Sequence, residues 1–590
     1  MLKLIAIVFV VWNITGNPSY SQKEDYIWML GEENTTHVID SNAGVSKISF
    51  ENEFVHLGKS NARIVFNQTN AIISDREGKN IVLATNGFQI YNSEVIKLEN
   101  EYRINKGCFQ QSETQGMFIN QSAIIVQKPG SHNKYYLIYL WEDIPKPDTF
   151  VQMNKLLLAS VDASANGGQG QIEYRDSLIL AGAFEYGKLT VCRHANGRDW
   201  WLVVPRRYSN QMFVFLVDPS GVHLHRSQLF NSITHTGIGM ASFSPDGKHY
   251  AIGNTDGNDP LARGFIELYN FDRCEGLLYN KLELPISDTA KMSGLAFSPN
   301  GRYIYYNTTK ILRRLDVEQS NLIDGMIQID TFDVNYNDPF TCYYGPSMLA
   351  PDGMIYMVPN SGSRCASRIN HPDANDPKDI YFGEYSIRLP TYNFKSIPNM
   401  PHFRLGPIDG SICDSLGIDN VPMARFRFET IPNENLGIRF FDLSAYEPSN
   451  WQWDFGDPAS PDNASNLRNP NHKFSKSGIY EICLTVQNNF GEDSQCKNVE
   501  ILAVDNKDIL AETESFHLFP NPVLDELHIQ LKENVGPWKI QLLNPKNEII
   551  QNYQGTNATI NLNLENLSAG VYVLKLQTRK TILVKRIVKI

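Results

Sequence analysis

The feature that most constrains the fold of this 590-residue chain is a turn that recurs at nearly constant spacing. The sequence Phe243-Ser-Pro-Asp-Gly-Lys-His-Tyr250 returns as Phe297-Ser-Pro-Asn-Gly-Arg-Tyr-Ile304 and, more loosely, as Leu349-Ala-Pro-Asp-Gly-Met-Ile-Tyr356. Proline fixes φ at the second position of a tight turn and glycine supplies a positive φ, so each copy predicts a hairpin of two antiparallel strands. The turn glycines of the three copies lie 54 and 52 residues apart.

Two further marks extend this repeat towards the N-terminus. Three weaker copies of the turn place glycines at Gly78, Gly130 and Gly197. Four strands of the same region end on aspartate, at Asp162, Asp218, Asp272 and Asp316. A period of about 40–50 residues with several short strands is typical of four-stranded propeller blades, whereas a helical repeat would show 3.6-residue amphipathic runs.

The Ser-Pro-Asp-Gly-Lys unit resembles the repeat of WD-like propellers in bacterial envelope proteins. The resemblance covers residues 22–405 and implies a β-propeller of six or seven blades. Sialidase-type propellers also have a turn that contains aspartate, but here glycine directly follows the aspartate and the tryptophan of that motif is missing. We expect the repeated turns to close hairpins and to touch no ligand.

The N-terminal sequence and the net charge bear on export and on the possible partners. An apolar run from Leu4 to Trp12 after Lys3, with small residues at Ser19 and Ser21, predicts a secretory signal over residues 1–21. No later stretch reaches 18 consecutive apolar residues, so we expect no transmembrane segment. The net charge of −11 argues against nucleic acid or an anionic membrane surface as the main partner.

Eight cysteines in an exported chain predict paired disulfides rather than free thiols. Cys483 and Cys496 flank the turn Asn488-Asn-Phe-Gly491, and a hairpin about this turn sets the two residues opposite each other. We therefore predict a Cys483–Cys496 disulfide. The other pairings stay open, although Cys413 lies where it could tie a linker back to the propeller.

Residues 406–423 are rich in proline, glycine and aspartate and predict a linker. Residues 424–503 then show alternating strands that fit a small antiparallel sandwich. The run Trp451-Gln-Trp-Asp-Phe-Gly-Asp457 and the later Gly478-x-Tyr480 resemble a PKD domain, an immunoglobulin-like module of exported bacterial proteins. We expect Trp453, Phe455 and Tyr480 in its core, and Asp454 and Asp457 in turn hydrogen bonds.

A short acidic linker, residues 504–515, precedes a last small β domain over residues 516–590. Its opening Leu518-Phe-Pro-Asn-Pro522, its Gly570-x-Tyr572 and its closing strand resemble the C-terminal sorting domain of the type IX secretion system. The resemblance implies a β-sandwich fold and the type IX machinery as a partner. It also implies that the protein is secreted or attached to the outer-membrane surface.

Two irregular acidic segments, residues 141–154 and 359–381, interrupt the propeller pattern. Loops of this kind lie at the rim or top face of a propeller, where binding residues usually occur. Aromatic residues beside carboxylates suit sugar stacking and hydroxyl recognition. The predicted ligand-binding residues are Trp141, Glu142, Asp143, His371, Asp373 and Asp376. Their spacing matches no catalytic motif, so no catalytic residue is assigned.

Two patterns that suggest metal binding are also present. His223 and His225 share one face of a strand, and Asn254 to Asp259 has oxygen ligands at alternate positions. No carboxylate pattern accompanies the histidines, and Phe265 stands where an EF-hand needs glutamate. We predict no metal and no cofactor.

These features together predict an all-β, exported, multidomain protein. The first hypothesis is a binding or adhesion protein whose propeller presents loops to an extracellular polysaccharide or surface protein, with the PKD module as a spacer. The alternative is a carbohydrate-active hydrolase or lyase built on the propeller, since propellers support both binding and catalysis. A third possibility is a purely structural role in the cell-surface layer.

Overall fold

The structure is a computed structural model. It describes residues 22–32, 43–50, 55–98, 116–142, 153–232, 237, 239–255, 264–286, 291–332, 337–431, 434–501, 516–519, 523, 526–531, 537–544, 549–557, 559–567, 570–577 and 582–589. The predicted secretory signal lies outside these residues.

The described residues from 27 to 393 form seven antiparallel sheets, which we number as blades 1 to 7. Blade 1 comprises β1 (Ile27–Glu32), β2 (Gly44–Ser49) and β3 (His56–Ser60). Blade 2 comprises β4 (Ala71–Ser74), β5 (Ile81–Thr85) and β6 (Ile90–Tyr91). Blade 3 comprises β7 (Ala123–Gln127), β8 (Lys134–Glu142), β9 (Met153–Asp162) and β10 (Gln171–Phe184). A helical turn, Ala165–Gly168, joins β9 to β10.

Blades 4 to 7 each contain four strands in sequence order. Blade 4 comprises β11 (Thr190–Arg193), β12 (Trp200–Pro205), β13 (Gln211–Asp218) and β14 (Gly221–Leu229), and blade 5 comprises β15 (Gly239–Phe243), β16 (His249–Thr255), β17 (Gly264–Asp272) and β18 (Leu277–Ile286). Blade 6 comprises β19 (Met292–Phe297), β20 (Tyr303–Thr308), β21 (Ile311–Asp316) and β22 (Met326–Thr331). Blade 7 comprises β23 (Tyr344–Leu349), β24 (Ile355–Pro359), β25 (Ser363–Ile369) and β26 (Phe382–Asn393). A 3₁₀ turn, Pro377–Asp379, lies between β25 and β26.

The blades form a closed ring because the last one packs on the first. β26 contacts β1, β2 and β3, and the Thr391 and Ser46 hydroxyls are hydrogen-bonded at 2.7 Å. The Tyr356 ring of blade 7 meets the rings of Trp28 and Phe50 edge-on, with centroids 5.6 Å apart in both pairs. Seven blades resolve the choice between six and seven that the repeat left open.

The six repeated glycines join the first and second strands of blades 2 to 7, and all have φ between +70° and +76°. The predicted hairpin turns therefore form. The aspartates that end third strands have a related role, since Asp218 and Asp272 each accept a backbone N–H two residues further on, both at 2.7 Å. Such Asx turns start the connection to the fourth strand.

Blade 1 has no copy of the repeated turn, and its first strand borders blade 2. β1 runs antiparallel to β4, with Ser74 N–H bonded to the Glu24 carbonyl and Phe66 N–H to the Gly31 carbonyl. Segment 396–405, from the other end of the propeller, contacts the same region. Its Asn399 N–H donates to Asn70 at 2.7 Å, and Arg404 pairs with Asp25 further along the chain.

Segment 396–405 also fills the centre of the ring. The Asn399 side-chain amide donates to the carbonyls of Ala123 and Leu189, both at 2.9 Å. Its oxygen accepts from Gln121, which in turn bonds to the main chain of Ala241. One asparagine thus connects the first strands of blades 3 and 4 directly and, through Gln121, that of blade 5.

Two sandwiches follow the propeller. The middle sandwich (residues 426–501) packs the sheet β27 (Phe426–Thr430), β28 (Gly437–Asp442), β31 (Asn471–Lys473) on the sheet β30 (Ala464–Ser465), β29 (Asn450–Asp454), β32 (Gly478–Asn488), β33 (Gly491–Ile501). Trp453, Phe455 and Tyr480 lie in its core, as predicted. Asp454 accepts from Gly456 N–H and Asp457 from Ser475 N–H.

The C-terminal sandwich (residues 516–589) has the same two-layer form. One sheet contains β34 (Phe516–Phe519), β35 (Glu526–Leu531) and β38 (Thr559–Asn563), and the other contains β37 (Ile549–Gly555), β36 (Trp538–Leu543), β39 (Gly570–Gln577) and β40 (Ile582–Lys589). Alternate residues such as Leu527, Ile529, Leu574 and Leu576 are buried between the sheets.

The described residues contain three disulfides: Cys274–Cys413, Cys342–Cys365 and Cys483–Cys496. Cys483 and Cys496 lie directly opposite each other in the β32–β33 hairpin, with Cα atoms 4.0 Å apart. Cys413 ties the linker to the propeller. The expectation of fully paired thiols is wrong for Cys192, which is free and buried in an apolar cluster beside Trp201 and Phe243. Cys108 lies outside the described residues.

Candidate functional site

The predicted ligand-binding residues that the structure describes lie on opposite faces of the propeller. We call the end of the ring that carries the repeated glycine turns the turn face. Strands alternate in direction within a blade, so the connection after a second strand lies opposite the turn face and the connection after a third strand lies on it. Trp141 and Glu142 end the second strand of blade 3, whereas residues 370–381 follow the third strand of blade 7.

On the opposite face, the first segment is less irregular than its sequence suggested. Trp141 and Glu142 are the last residues of strand β8, and Trp141 pairs with Lys155 of β9. The Trp141 ring is half-buried, with the Lys155 ammonium 5.7 Å from its centroid. Asp143 and the Glu142 side chain lie outside the described residues.

The second segment, which we call the blade 7 loop (residues 370–381), is held by the neighbouring blade. The Tyr305 hydroxyl donates to the Pro372 carbonyl at 3.0 Å, and the Tyr303 hydroxyl to Asn375 Oδ1 at 2.9 Å. Arg314 donates to the carbonyls of Ala374 and Asn375. The loop is therefore fixed by side chains of blade 6 rather than left free in solvent.

Within this loop, the three predicted residues have different surroundings. Asp376 is exposed and caps the 3₁₀ turn by accepting the Lys378 N–H at 3.0 Å. Asp373 is half-buried and accepts the Asn300 N–H at 3.0 Å. His371 contacts Glu429 of the middle sandwich through Nε2, while its Nδ1 bonds to the Asp379 carbonyl.

The middle sandwich is docked on the turn face, and its predicted role as a spacer stays a prediction. The Arg425 guanidinium lies 4.5 Å from the centroid of Tyr26, and Arg427 Nη2 donates to the Asn370 carbonyl at 2.9 Å. Leu443 packs against the Gly353 turn. Some of the repeated turns thus also receive other parts of the chain, a role that hairpin chemistry alone did not indicate.

A polar cleft of about 430 Å³ lies where blades 6 and 7 meet the middle sandwich. The propeller contributes Asn300, His371, Asp373 and Asp379, and the sandwich contributes Arg427, Arg439, Phe441, Arg468 and Asn469. The cleft therefore includes His371 and Asp373 among the predicted residues, but not Trp141 or Asp376. Its volume is within the range of about 300–1,000 Å³ that small-molecule sites occupy.

The charged groups of the cleft are partly removed from water. Burial raises the pKa of the Asp373 carboxyl, and the hydrogen bond that it accepts from the Asn300 N–H partly offsets this rise. Burial lowers the pKa of the Arg427 guanidinium, which Glu429 at 3.5 Å partly offsets. Such perturbed groups beside a cleft are typical of binding or catalytic sites.

Sequence reasoning missed the three arginines because they lie on strands and turns of the middle sandwich. A signal was present in Phe426-Arg-Phe428: the alternation that buries Phe426 places Arg425 and Arg427 on the outer face. This alternation separates Arg425 and Arg427 from the core of the sandwich, but it does not relate them to the propeller.

The described residues contain no cluster of metal ligands, and residues 256–259 of the second metal pattern lie outside them. The His223 and Ser220 side chains are hydrogen-bonded, and His225 packs on Trp201. Among the same residues, no helix is long and apolar enough to cross a membrane.

Comparison with protein families identifies two of the domains. Residues 422–503 match the model of the PKD domain, and residues 517–590 match the model of the secretion system C-terminal sorting domain. The middle sandwich is therefore a PKD domain, and the C-terminal sandwich is a sorting domain. No curated protein matches the chain significantly.

The solved structures that resemble this chain cover different shares of it. The PKD1 domain of the Vibrio cholerae metalloprotease PrtV is 23% identical, covering 14% of this chain and 98% of its own, with a TM-score of 0.12. The Cps50 (Swd1) β-propeller domain of Myceliophteria thermophila is 10% identical, covering 58% and 92%, with a TM-score of 0.32. A putative 6-phosphogluconolactonase of Bacteroides uniformis is 12% identical, covering 81% and 98%, with a TM-score of 0.32.

The sheets and the two family models together define the molecule. The seven-bladed ring, the docked PKD domain and the sorting domain follow one another along the chain. The sorting domain directs the protein through the type IX secretion system. The chain is a propeller protein with a PKD domain and a type IX sorting domain, and it is secreted or attached to the outer-membrane surface.

Proposed function

We propose that the protein is a surface binding or adhesion protein that holds its ligand in the cleft between the propeller and the PKD domain. The proposal rests on the observation that both domains supply polar side chains to one cleft. Both walls of this cleft are held in place by other parts of the protein. Tyr303, Tyr305 and Arg314 hold the propeller side, and strands β27 and β28 hold the PKD side. A site of this kind binds without large ordering costs.

The proposal changes the role of the PKD domain from a spacer to one wall of the site. Of the predicted residues it uses His371 and Asp373, and it makes no use of Trp141, Glu142, Asp143 or Asp376. The extracellular partner is a polysaccharide or a surface protein. The exported location supports this choice, because the site is then exposed to extracellular polymers.

A cleft-filling substitution tests the proposal. Ala374 lines the cleft and is half-buried, so Ala374→Trp should block it. Lys378→Trp adds the same ring to an exposed position of the blade 7 loop outside the cleft, and it serves as the control. We expect the first variant to lose binding to whole cells and to insoluble cell-surface polymer, while the control retains it. Equal binding by both folded variants would overturn the proposal.

One observation favours the enzymatic alternative, a carbohydrate-active hydrolase or lyase. Asp373 is a carboxyl of the cleft whose pKa is raised by burial, and general acids are tuned in this way. Incubation with a panel of polysaccharides, followed by assays for new reducing ends and for unsaturated products, tests this function. A turnover that Asp373→Asn abolishes, with binding retained, would establish the enzyme in place of the binding protein.

A further inference from the structure

The charged side chains of the cleft are distributed unequally between the two domains. The propeller wall carries Asp373 and Asp379, and the PKD wall carries Arg427, Arg439 and Arg468 together with Asp442, which Arg468 contacts. Ionised aspartates accept hydrogen bonds and arginines donate them. Among the charged groups, a ligand that fills the cleft therefore meets acceptors on one side and mainly donors on the other.

Several of these charges already have partners within the protein. Arg468 Nε lies 3.1 Å from Asp442 Oδ2, so this guanidinium is partly occupied. Arg427 Nη1 lies 3.5 Å from Glu429, and its Nε is a buried donor that bonds to no described residue. Within the described ranges, neither Arg439 nor Asp379 has an ion-pair partner. Arg439 and Asp379 are thus the least compensated charges of the two walls.

The aromatic ring of the cleft is not free for stacking against a sugar. The Arg427 guanidinium carbon lies 3.8 Å from the centroid of Phe441. The His371 ring is stacked on the same phenyl group, with centroids 5.5 Å apart and planes 27° apart. Recognition in this cleft therefore depends on hydrogen bonds rather than on an exposed aromatic platform.

We propose, on the basis of the function proposed above, that the cleft binds an uncharged, hydroxyl-rich glycan by its edge. A hydroxyl group donates one hydrogen bond and accepts others at the same time, so one sugar hydroxyl serves both walls. Neighbouring hydroxyls donate to Asp379 and Asp373 and accept from Arg439. A polyanion would satisfy only the arginine wall and would be repelled by the aspartate wall.

Titration of the full chain with soluble polymers tests this ligand class. The probes are a neutral β-glucan, a neutral xyloglucan and polygalacturonate. We expect a neutral glycan to bind, with less than about a twofold change in affinity between about 50 mM and about 500 mM sodium chloride, because no ligand charge is screened. Arg439→Gln and Asp379→Asn should each weaken binding about tenfold or more, since each removes hydrogen bonds to a charged group.

Lys473→Gln is the matched control, because it removes a positive charge from an exposed PKD position outside the cleft. Its affinity should equal that of the unchanged protein. Preference for polygalacturonate with steep salt dependence overturns the inference, and so does a panel in which no glycan binds. If cells still bind and Ala374→Trp abolishes that binding, only the ligand class is wrong. If Ala374→Trp leaves cell binding intact, the proposed function fails as well.

Discussion

Leu443 of the PKD domain packs on Gly353, the turn glycine of blade 7, so closely that a Cβ at Gly353 would lie 2.6 Å from Leu443 Cδ2. Leu405 and the linker residue Pro407 contact other turns in the same way. Added Cβ atoms at Gly197 and Gly247 would lie 2.6 Å from Pro407 and 2.9 Å from Leu405. The repeated glycines therefore form hairpins and also provide a flat surface on which the rest of the chain docks.

Substitution of Gly353 by alanine should loosen the docked PKD domain. The added methyl group displaces Leu443, and the left-handed backbone adds strain of its own. Gly301→Ala is the matched control, because Gly301 has nearly the same φ, +76° against +75°, but the nearest atom to its Cβ is Asp246 Oδ1 at 3.3 Å. Limited proteolysis of residues 406–423 should be faster in Gly353→Ala than in Gly301→Ala. Equal rates would contradict tight docking at this turn.

The repeat predicted six of the seven blades, and the structure explains the missing one. Blades 2 to 7 each begin with a hairpin whose turn requires proline or glycine at fixed positions, so local sequence reveals them. Blade 1 has no copy of the turn, and segment 396–405, which contacts Asn70 and Asp25 beside it, comes from the other end of the propeller. No local pattern encodes such a contact, because it depends on closure of the ring.

Only the propeller side of the candidate site was predictable from the sequence. The acidic composition of the blade 7 loop marked His371 and Asp373 as exposed binding residues. The arginine wall belongs to another domain, and Arg439 and Arg468 carry no sequence mark that relates them to the propeller. Contacts between domains depend on the shapes of complete surfaces. The two-residue alternation of side chains along a strand does not predict them.

Replacement of Asn399 by alanine should destabilise the propeller by about 2–4 kcal/mol, since it leaves several buried groups without hydrogen bonds. The groups affected are the carbonyls of Ala123 and Leu189 and the amide of Gln121. Urea unfolding followed by tryptophan fluorescence measures the change. Asn321→Ala, at an exposed position, should have little effect. A loss that is equally small in both variants would show that Asn399 is not central to ring closure.

Removal of the Cys274–Cys413 disulfide should destabilise the chain more than removal of Cys342–Cys365. The first bond spans 139 residues and the second spans 23, and the entropy that a crosslink removes from the unfolded chain grows with this span. The longer loop corresponds to about 4–5 kcal/mol. Thermal unfolding of the two double-serine variants provides the comparison, and the reverse order of unfolding temperatures would contradict it.

The free energy of unfolding should fall as the pH rises because of the buried Glu24 carboxyl. Burial raises the pKa of this carboxyl from 4.5 to about 7, and its Oε2 has no hydrogen-bond partner in the part of the chain that is described. Between these values the folded state keeps a proton that the unfolded state releases, so folding is favoured at low pH and weakens until about pH 7. Glu24→Gln should therefore stabilise the protein at pH 8, by about 3 kcal/mol at most, and not at pH 4.

The exposed Glu77 provides the control for this measurement, since Glu77→Gln should change the free energy of unfolding little at either pH. Urea unfolding of both variants at the two pH values gives the comparison. A stabilisation by Glu24→Gln that is equal at pH 4 and pH 8 would show that the charge of Glu24 is not the cause.

The central claim is that the ligand lies between the propeller and the PKD domain, and hydrogen–deuterium exchange of the full chain with and without bound polymer tests it most directly. The account predicts slower exchange in two places at once, the blade 7 loop at residues 370–381 and strand β28 at residues 437–442. Slower exchange confined to the opposite face, around β8 and β9 at Trp141, would contradict it.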